Sequence, residues 1–167
     1  MTTTANPSWT QLLRNPSMLV AFGFGSGLAP RAPGTAGTLA AIPIYYFLRE
    51  LTIGYYLGVL VTTFVIGIVI CDVAARRLQV HDHSGIVWDE MVGYWLTMLL
   101  APPQWWWMVV GFILFRIFDI AKPWPVGFVD KKLGGGIGIM LDDIVAAIYA
   151  LLCLQLLAFG TIGYRVV

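Results

Sequence analysis

The chain has 167 residues, 59% of them hydrophobic and only 11% charged, with a net charge of +1 and a mean hydropathy of +0.80. Soluble domains carry roughly 25% charged residues, so an ordinary water-facing surface is excluded. A near-neutral chain whose longest Lys/Arg run is two residues also lacks the basic footprint of a nucleic-acid partner. The expectation is one domain, 1–167, opening with a polar segment 1–17. The first seventeen residues, MTTTANPSWTQLLRNPS, lack the basic-then-apolar pattern of a secretion signal.

Residues 22–43, FGFGSGLAPRAPGTAGTLAAIP, hold five glycines, three prolines and the single cation Arg31. Pro30, Pro33 and Gly34 are expected to prevent a regular helix and leave backbone N–H groups facing a ligand. The run then enters an apolar segment, Gly37–Phe47, with Thr35 or Thr38 as N-cap. Free N–H groups at a helix start beside an arginine suit an anion such as phosphate. On that reading Arg31, Gly34, Thr35 and Thr38 are the binding candidates. The plainer alternative is a glycine-permitted close approach of helices. No Gly-Lys-Ser/Thr closes the run, so it is not a Walker A loop.

A turn at Arg49–Thr52 leads into Thr52–Cys71, one of two segments with the ~20 apolar residues that cross a ~30 Å hydrocarbon layer. Next comes VHDHSGIVWDEMVGYW, residues 80–95. Asp89 and Glu90 open the apolar segment Trp88–Ala101, with Asp82 seven residues before Asp89. One acid in a first helical turn complements the helix dipole; three close together exceed that need. Oxygen-rich sites suit Mg²⁺ or Mn²⁺. His81 and His83 have no third nitrogen or thiolate to complete a zinc site, so His83 reads as a polar, phosphate-contacting residue.

After a turn at Pro102-Pro103-Gln104, Trp105–Phe118 runs into FRIFDIAKPWPVGFVDKK, residues 115–132. Arg116 and Asp119 are three apart and share a helical face. Lys122, before Pro123, is expected to be extended, and Asp130-Lys131-Lys132 to face solvent or headgroups. A snorkelling helix end is the structural alternative. Finally GGGIGIMLDDIVAAIYA, residues 134–150, brings Asp142 and Asp143 to the mouth of the second long span, Ile144–Gly163. Consecutive helical residues point ~100° apart, so one of the pair is expected to face an ion and the other to orient it or bind a second. Cys71 and Cys153 lie in apolar runs and read as buried small hydrophobes.

Eight of the nine acids fall in three polar stretches, Asp72–Glu90, Asp119–Asp130 and Asp142–Asp143, with Glu50 alone elsewhere. Taking five segments as crossings, some short or re-entrant, places 1–37, 72–88 and 119–143 on one side. Those stretches hold seven of the ten Lys/Arg residues, and Arg116 at the adjoining segment end makes eight, which marks the side cytoplasmic. Tyr45, Tyr46, Tyr55, Tyr56 and Trp105–Trp107 then read as an aromatic belt at the outer turns. The expectation is an all-α integral membrane protein, a compact multi-pass helical bundle of about five segments with cytoplasm-facing polar loops. Carboxylates, cations and glycine loops on one face are what metal-assisted phosphoryl chemistry requires.

Four stretches, GFGSGLAPRAPGTAGTLAAIP, HDHSGIVWDEMVGYW, FRIFDIAKPWPVGFVD and GGGIGIMLDDIVAA, in this order resemble the phosphatidylglycerophosphatase A family. The family often has glycine where Ala147 stands, a difference that concerns helix packing. The resemblance implies a Mg²⁺-dependent phosphatase of the bacterial cytoplasmic membrane, with its site facing the cytoplasm. Its substrate would be phosphatidylglycerophosphate, hydrolysed to phosphatidylglycerol and inorganic phosphate. By motif, Asp82, Asp89, Glu90, Asp119, Asp142 and Asp143 become candidates for metal binding or catalysis, with Asp89, Glu90, Asp142 and Asp143 on the metal. Arg31, Thr35, Arg116 and Lys122 become phosphate contacts. Two rival readings are a membrane phosphotransferase, whose D-G-x₂-A-R…G-x₃-D-x₃-D pattern is absent, and a small multi-pass ion transporter or channel subunit. Mid-bilayer acids would mark the transporter.

Overall fold

The computed structural model describes residues 6–80, 83–122, 124 and 134–163, and among them every regular element is helical. A capping box starts the short helix α1 (Trp9–Leu13), where the Ser8 side chain accepts from the Gln11 backbone and the Gln11 side chain from the Ser8 backbone. Pro16 opens α2 (Pro16–Ala21), and a 3₁₀ segment follows at Gly23–Leu28. The longer helices are α3 (Pro33–Leu48), α4 (Ile53–Leu78), α5 (Trp88–Thr97), α6 (Trp106–Ala121) and α7 (Gly135–Gly163).

Two local expectations fail here. Pro33 and Gly34 do not break a helix; they begin α3, with Ala32 as N-cap in the left-handed region (φ 48°) in place of a threonine. Proline is suited to the first helical position because its missing N–H would have had no helical partner there. Three amides of the glycine-rich run before it are spent inside the run itself. Gly25 and Gly27 both donate to the Phe22 carbonyl at 3.0 Å, and Ala29 donates to Ser26 at 3.1 Å. Gly27 instead packs backbone to backbone on Gly85, clamping the 3₁₀ segment to the loop that feeds α5.

The core is arranged around α7, which packs on α4, α5 and α6. Helix α5 is ten residues long, or about 15 Å, and eight of its residues are buried. Polar side chains tie it to its neighbours. The Tyr56 hydroxyl donates to the Trp95 carbonyl (2.7 Å), Trp95 Nε1 to the Ala41 carbonyl (3.0 Å), and Trp88 Nε1 to the Thr63 carbonyl (3.1 Å). In a dry core each such bond contributes about 1 kcal/mol, and losing one partner costs more. Trp88 and Trp95 meet edge to face at 5.8 Å, as do Tyr45 and Tyr94 at 6.0 Å. The aromatic belt is therefore divided: Tyr46, Tyr55, Trp105 and Trp106 are exposed, whereas Tyr45, Tyr56 and Trp107 are core. Ala147 is fully buried, as is Cys71, while Cys153 is half-buried.

Helices α4 and α7 have the length and apolar character of membrane spans, with mean hydropathy 2.4 over Ile53–Leu78 and 2.2 over Gly135–Thr161. The other long helices are shorter than a hydrocarbon layer, about 24 Å for α3 and α6. The Arg49 guanidinium donates to the Pro103 carbonyl (2.7 Å), so the α3–α4 and α5–α6 turns lie side by side at one end. At the other end Arg77 bonds Asn15, and the Asp72 carboxylate accepts from Gly136 N–H at 3.4 Å. The N-terminal segments, the end of α4 and the start of α7 consequently meet there.

Candidate active site

Three helix ends and the flank of α7, about two turns inside its start, converge on a cavity of about 250 Å³ at this second end. Helix α5 brings Asp89 and Glu90 in its first turn, where carboxylates complement the dipole. Helix α6 contributes Arg116 and Asp119 from one face and ends at Lys122; α7 contributes Asp142 and Asp143; the first turn of α3 supplies Ala32, Pro33 and Gly34. Close approach needs two glycines. A Cβ at Gly34 would overlap Glu90 Oε1 and lie 3.1 Å from Arg116 Nη1, and one at Gly93 would lie 2.7 Å from Phe115 and 3.4 Å from the Asp143 carbonyl.

One oxygen from each of Asp89, Glu90 and Asp143 falls within 4.8 Å of the others. Asp89 Oδ1, Glu90 Oε2 and Asp143 Oδ2 are shut off from solvent with no hydrogen-bond partner. Both cations of the cavity are already matched to acids. Arg116 Nη1 lies 2.5 Å from Asp119 Oδ2 and 3.9 Å from Glu90 Oε1, ionic contacts without hydrogen-bond alignment. Lys122 Nζ donates to Asp142 Oδ2 at 2.7 Å. Five carboxylates and two cations line the cavity. The excess negative charge gathers at Asp89, Glu90 and Asp143, where three desolvated carboxylates strongly disfavour common ionisation without a cation.

The sequence candidates separate accordingly. Asp89, Glu90, Asp119, Asp142, Asp143, Arg116, Lys122 and Gly34 share the cavity, but Asp142 stands outside the three-carboxylate group, against Lys122. Lys122 is not extended: it caps α6 in the left-handed region (φ 40°, ψ 58°), its N–H closing on the Phe118 carbonyl. The closed helix end and the Asp142 contact override the preference imposed by the following proline. Arg31 is exposed and Thr35 half-buried, and neither lines the cavity. Thr38 is fully buried and donates its hydroxyl to the Gly34 carbonyl at 2.9 Å, so it serves α3 itself. His83 is buried, accepts from Gly85 N–H at Nδ1 (3.0 Å) and stacks at a tilt on Phe22. It is a loop-forming residue in this arrangement, away from the cavity lining. Asp82, His81 and the stretch 125–133 lie outside the described residues. The reading of the sequence missed Ser84, Ile86 and Ile120, which also line the cavity. Ser84 had a signal, a hydroxyl between His83 and Gly85 in a polar run; the isoleucines had none.

The family model for phosphatidylglycerophosphatase A matches residues 19–158. The chain is 47% identical over 137 residues to "Phosphatidylglycerophosphatase A" of Escherichia coli (strain K12), covering 81% of this chain and 80% of that protein. To "Phosphatidylglycerophosphatase A" of Haemophilus influenzae it is 43% identical over 150 residues, 88% of this chain and 91% of that one. A Bacteroides thetaiotaomicron protein provisionally named as a phosphatidylinositol-3-phosphatase is 38% identical over 143 residues, 80% of this chain and 87% of that one. No solved structure matches the chain. Identity at this level along most of both bacterial relatives, with the same family model spanning the four helices that build the cavity, makes the chain a member of the phosphatidylglycerophosphatase A family and a phosphatase.

Proposed function

We propose that the chain hydrolyses the terminal phosphate of phosphatidylglycerophosphate, yielding phosphatidylglycerol and inorganic phosphate, with Mg²⁺ as cofactor. The observation that carries the reading is the triad of buried carboxylates with orphaned oxygens, Asp89, Glu90 and Asp143, faced across one cavity by Arg116 and Lys122. The donor set fits a hard divalent cation: it is all oxygen, clustered, and carries more negative charge than the Arg116 contact to Glu90 offsets. Bound there, Mg²⁺ would neutralise phosphate oxygens and lower the pKa of water. Arg116 and Lys122 bind the phosphoryl oxygens and offset the charge that develops on them. Asp119, held beside Arg116, orients the attacking water, accepts its proton as the phosphorus–oxygen bond to the glycerol breaks, and returns that proton to the departing glycerol oxygen.

The same reading places the protein in the bacterial cytoplasmic membrane, with α4 and α7 spanning it, the shorter α3, α5 and α6 as short or re-entrant segments of the same bundle, and the cavity at the cytoplasmic face. Support comes from the apolar exposed faces of α4 and α7 and from the two outer turns sharing the end opposite the acids. The relatives named above are phosphatases by name, which gives the transporter alternative no support. The test is phosphate release by purified protein in detergent, with Mg²⁺ and with chelator. Phosphatidylglycerophosphate should be turned over, only with the metal, and faster than phosphatidylinositol 3-phosphate. Equal or greater turnover of the inositide, or undiminished release in chelator, would overturn the substrate or the cofactor respectively.

A further inference from the structure

We infer that Asp142 is a positioning residue for Lys122 and not a fourth ligand of the carboxylate cluster. The two adjacent acids of α7 then divide the work: Asp143 completes the cation group, and Asp142 holds a phosphate-binding ammonium at the cavity rim. The inference rests on the phosphatase reading for its substrate and on geometry alone for the division.

Neighbouring residues of a helix point ~100° apart, and here that rotation carries the two carboxylates to different partners. Asp143 offers an oxygen to the group with Asp89 and Glu90 and keeps Oδ2 unpartnered. Asp142 has both oxygens engaged, Oδ2 by Lys122 Nζ at 2.7 Å and Oδ1 by the Asp143 backbone N–H at 3.1 Å. The second contact fixes the Asp142 rotamer, so the carboxylate is aimed before the lysine arrives.

Lys122 needs such a hold. Its backbone is pinned as the left-handed cap of α6, yet its stem is a flexible four-carbon chain and its side chain is 34% exposed. An ammonium on that tether, beside Asp89, Glu90 and Asp143, would fold onto them and occupy the cation's place. Asp142 holds it at 2.7 Å, as Asp119 holds Arg116 at 2.5 Å. Each cation of the cavity thus has its own carboxylate, which leaves the remaining three for a metal ion. An incoming phosphate dianion then meets an ammonium already in place.

The test compares Asp142→Asn, Asp142→Glu, Lys122→Ala, the Asp142→Asn/Lys122→Ala double variant and Asp143→Asn in the full chain. Mn²⁺ binding is read by electron paramagnetic resonance, inorganic phosphate binding by calorimetry with Mn²⁺ present, and turnover by steady-state kinetics. Asp143→Asn should lose Mn²⁺ binding, while Asp142→Asn keeps it within about threefold and raises KM and the phosphate Kd about tenfold, the loss of one charge-assisted contact. Asp142→Glu should recover part of that loss. In the Lys122→Ala background, Asp142→Asn should change phosphate binding less than about twofold, because coupled residues are non-additive. Loss of Mn²⁺ binding in Asp142→Asn, or multiplicative effects of the two substitutions, would overturn the inference. Should the wild type bind Mn²⁺ and phosphate yet release none from the lipid, the phosphatase reading fails while the binding arms still decide the role of Asp142. A variant that fails to fold leaves Asp142→Glu and Lys122→Ala to carry the comparison.

Discussion

Gly34→Ala separates the site's geometry from the stability of the fold. The added methyl would overlap Glu90 Oε1 and come to 3.2 Å of Glu90 Cδ and 3.1 Å of Arg116 Nη1. Contacts to a methyl carbon are comfortable only near ~3.5 Å, so the overlapped Glu90 Oε1 must retreat by about 1 Å. That exceeds the ~0.5 Å tolerance of a catalytic constellation, and a displacement of about 1 Å costs on the order of 100-fold. The expected result is a 10- to 100-fold fall in kcat/KM for phosphate release, or about 1.4–2.7 kcal/mol of transition-state stabilisation. The helix itself gains from alanine by up to about 1 kcal/mol, so the unfolding midpoint in detergent should hold or rise. Gly58→Ala, whose methyl meets nothing within 4 Å, is the control and should keep wild-type activity. Wild-type kcat/KM in Gly34→Ala would refute the claim that Glu90 is held against α3 for function.

Asp89→Asn should abolish turnover, remove the Mg²⁺-dependent rise in thermal stability, and raise the melting temperature measured in chelator, because one buried like charge has gone; a lower melting temperature in chelator would contradict this. Arg116→Lys should cost about 10-fold or more in kcat/KM, since a point charge cannot reach Asp119 and Glu90 as the guanidinium does; kinetics in detergent give the answer. Tyr56→Phe leaves the buried Trp95 carbonyl without its 2.7 Å donor and should destabilise the bundle by about 1–2 kcal/mol in an equilibrium unfolding titration, with little change in kcat.

Acids gathered at one end of the bundle were legible in the sequence because a carboxylate in so apolar a chain stands out, and Asp89, Glu90, Asp119, Asp142 and Asp143 do share one cavity. Their division was not. Whether Asp142 or Asp143 faces Asp89 and Glu90 depends on the rotation of α7 against α5, a tertiary quantity that adjacency in sequence leaves open. Tyr45 and Tyr56 look like Tyr46 and Tyr55 in composition, yet the first two are core and the others exposed, because the helix face that turns inward is set by the partner helix. Pro33 and Gly34 illustrate a local ambiguity: the same pair that interrupts a helix interior also opens one, and only the packing of Gly34 on Glu90 distinguishes the cases. Apolar length alone also overstated α5, which ends at Thr97, short of the Trp88–Ala101 run.

Because Asp143 rides on α7 while Asp89 and Glu90 ride on α5, the oxygen cluster is closed only by a helix synthesised after all the others that build the cavity. A nascent chain that has made α3 through α6 holds two of the three acids beside Arg116 and lacks the donor that completes the set. On the reading proposed above, ion capture would then be a late event in biogenesis, gated by the docking of α7, and until then the chain would hold no competent centre for its substrate.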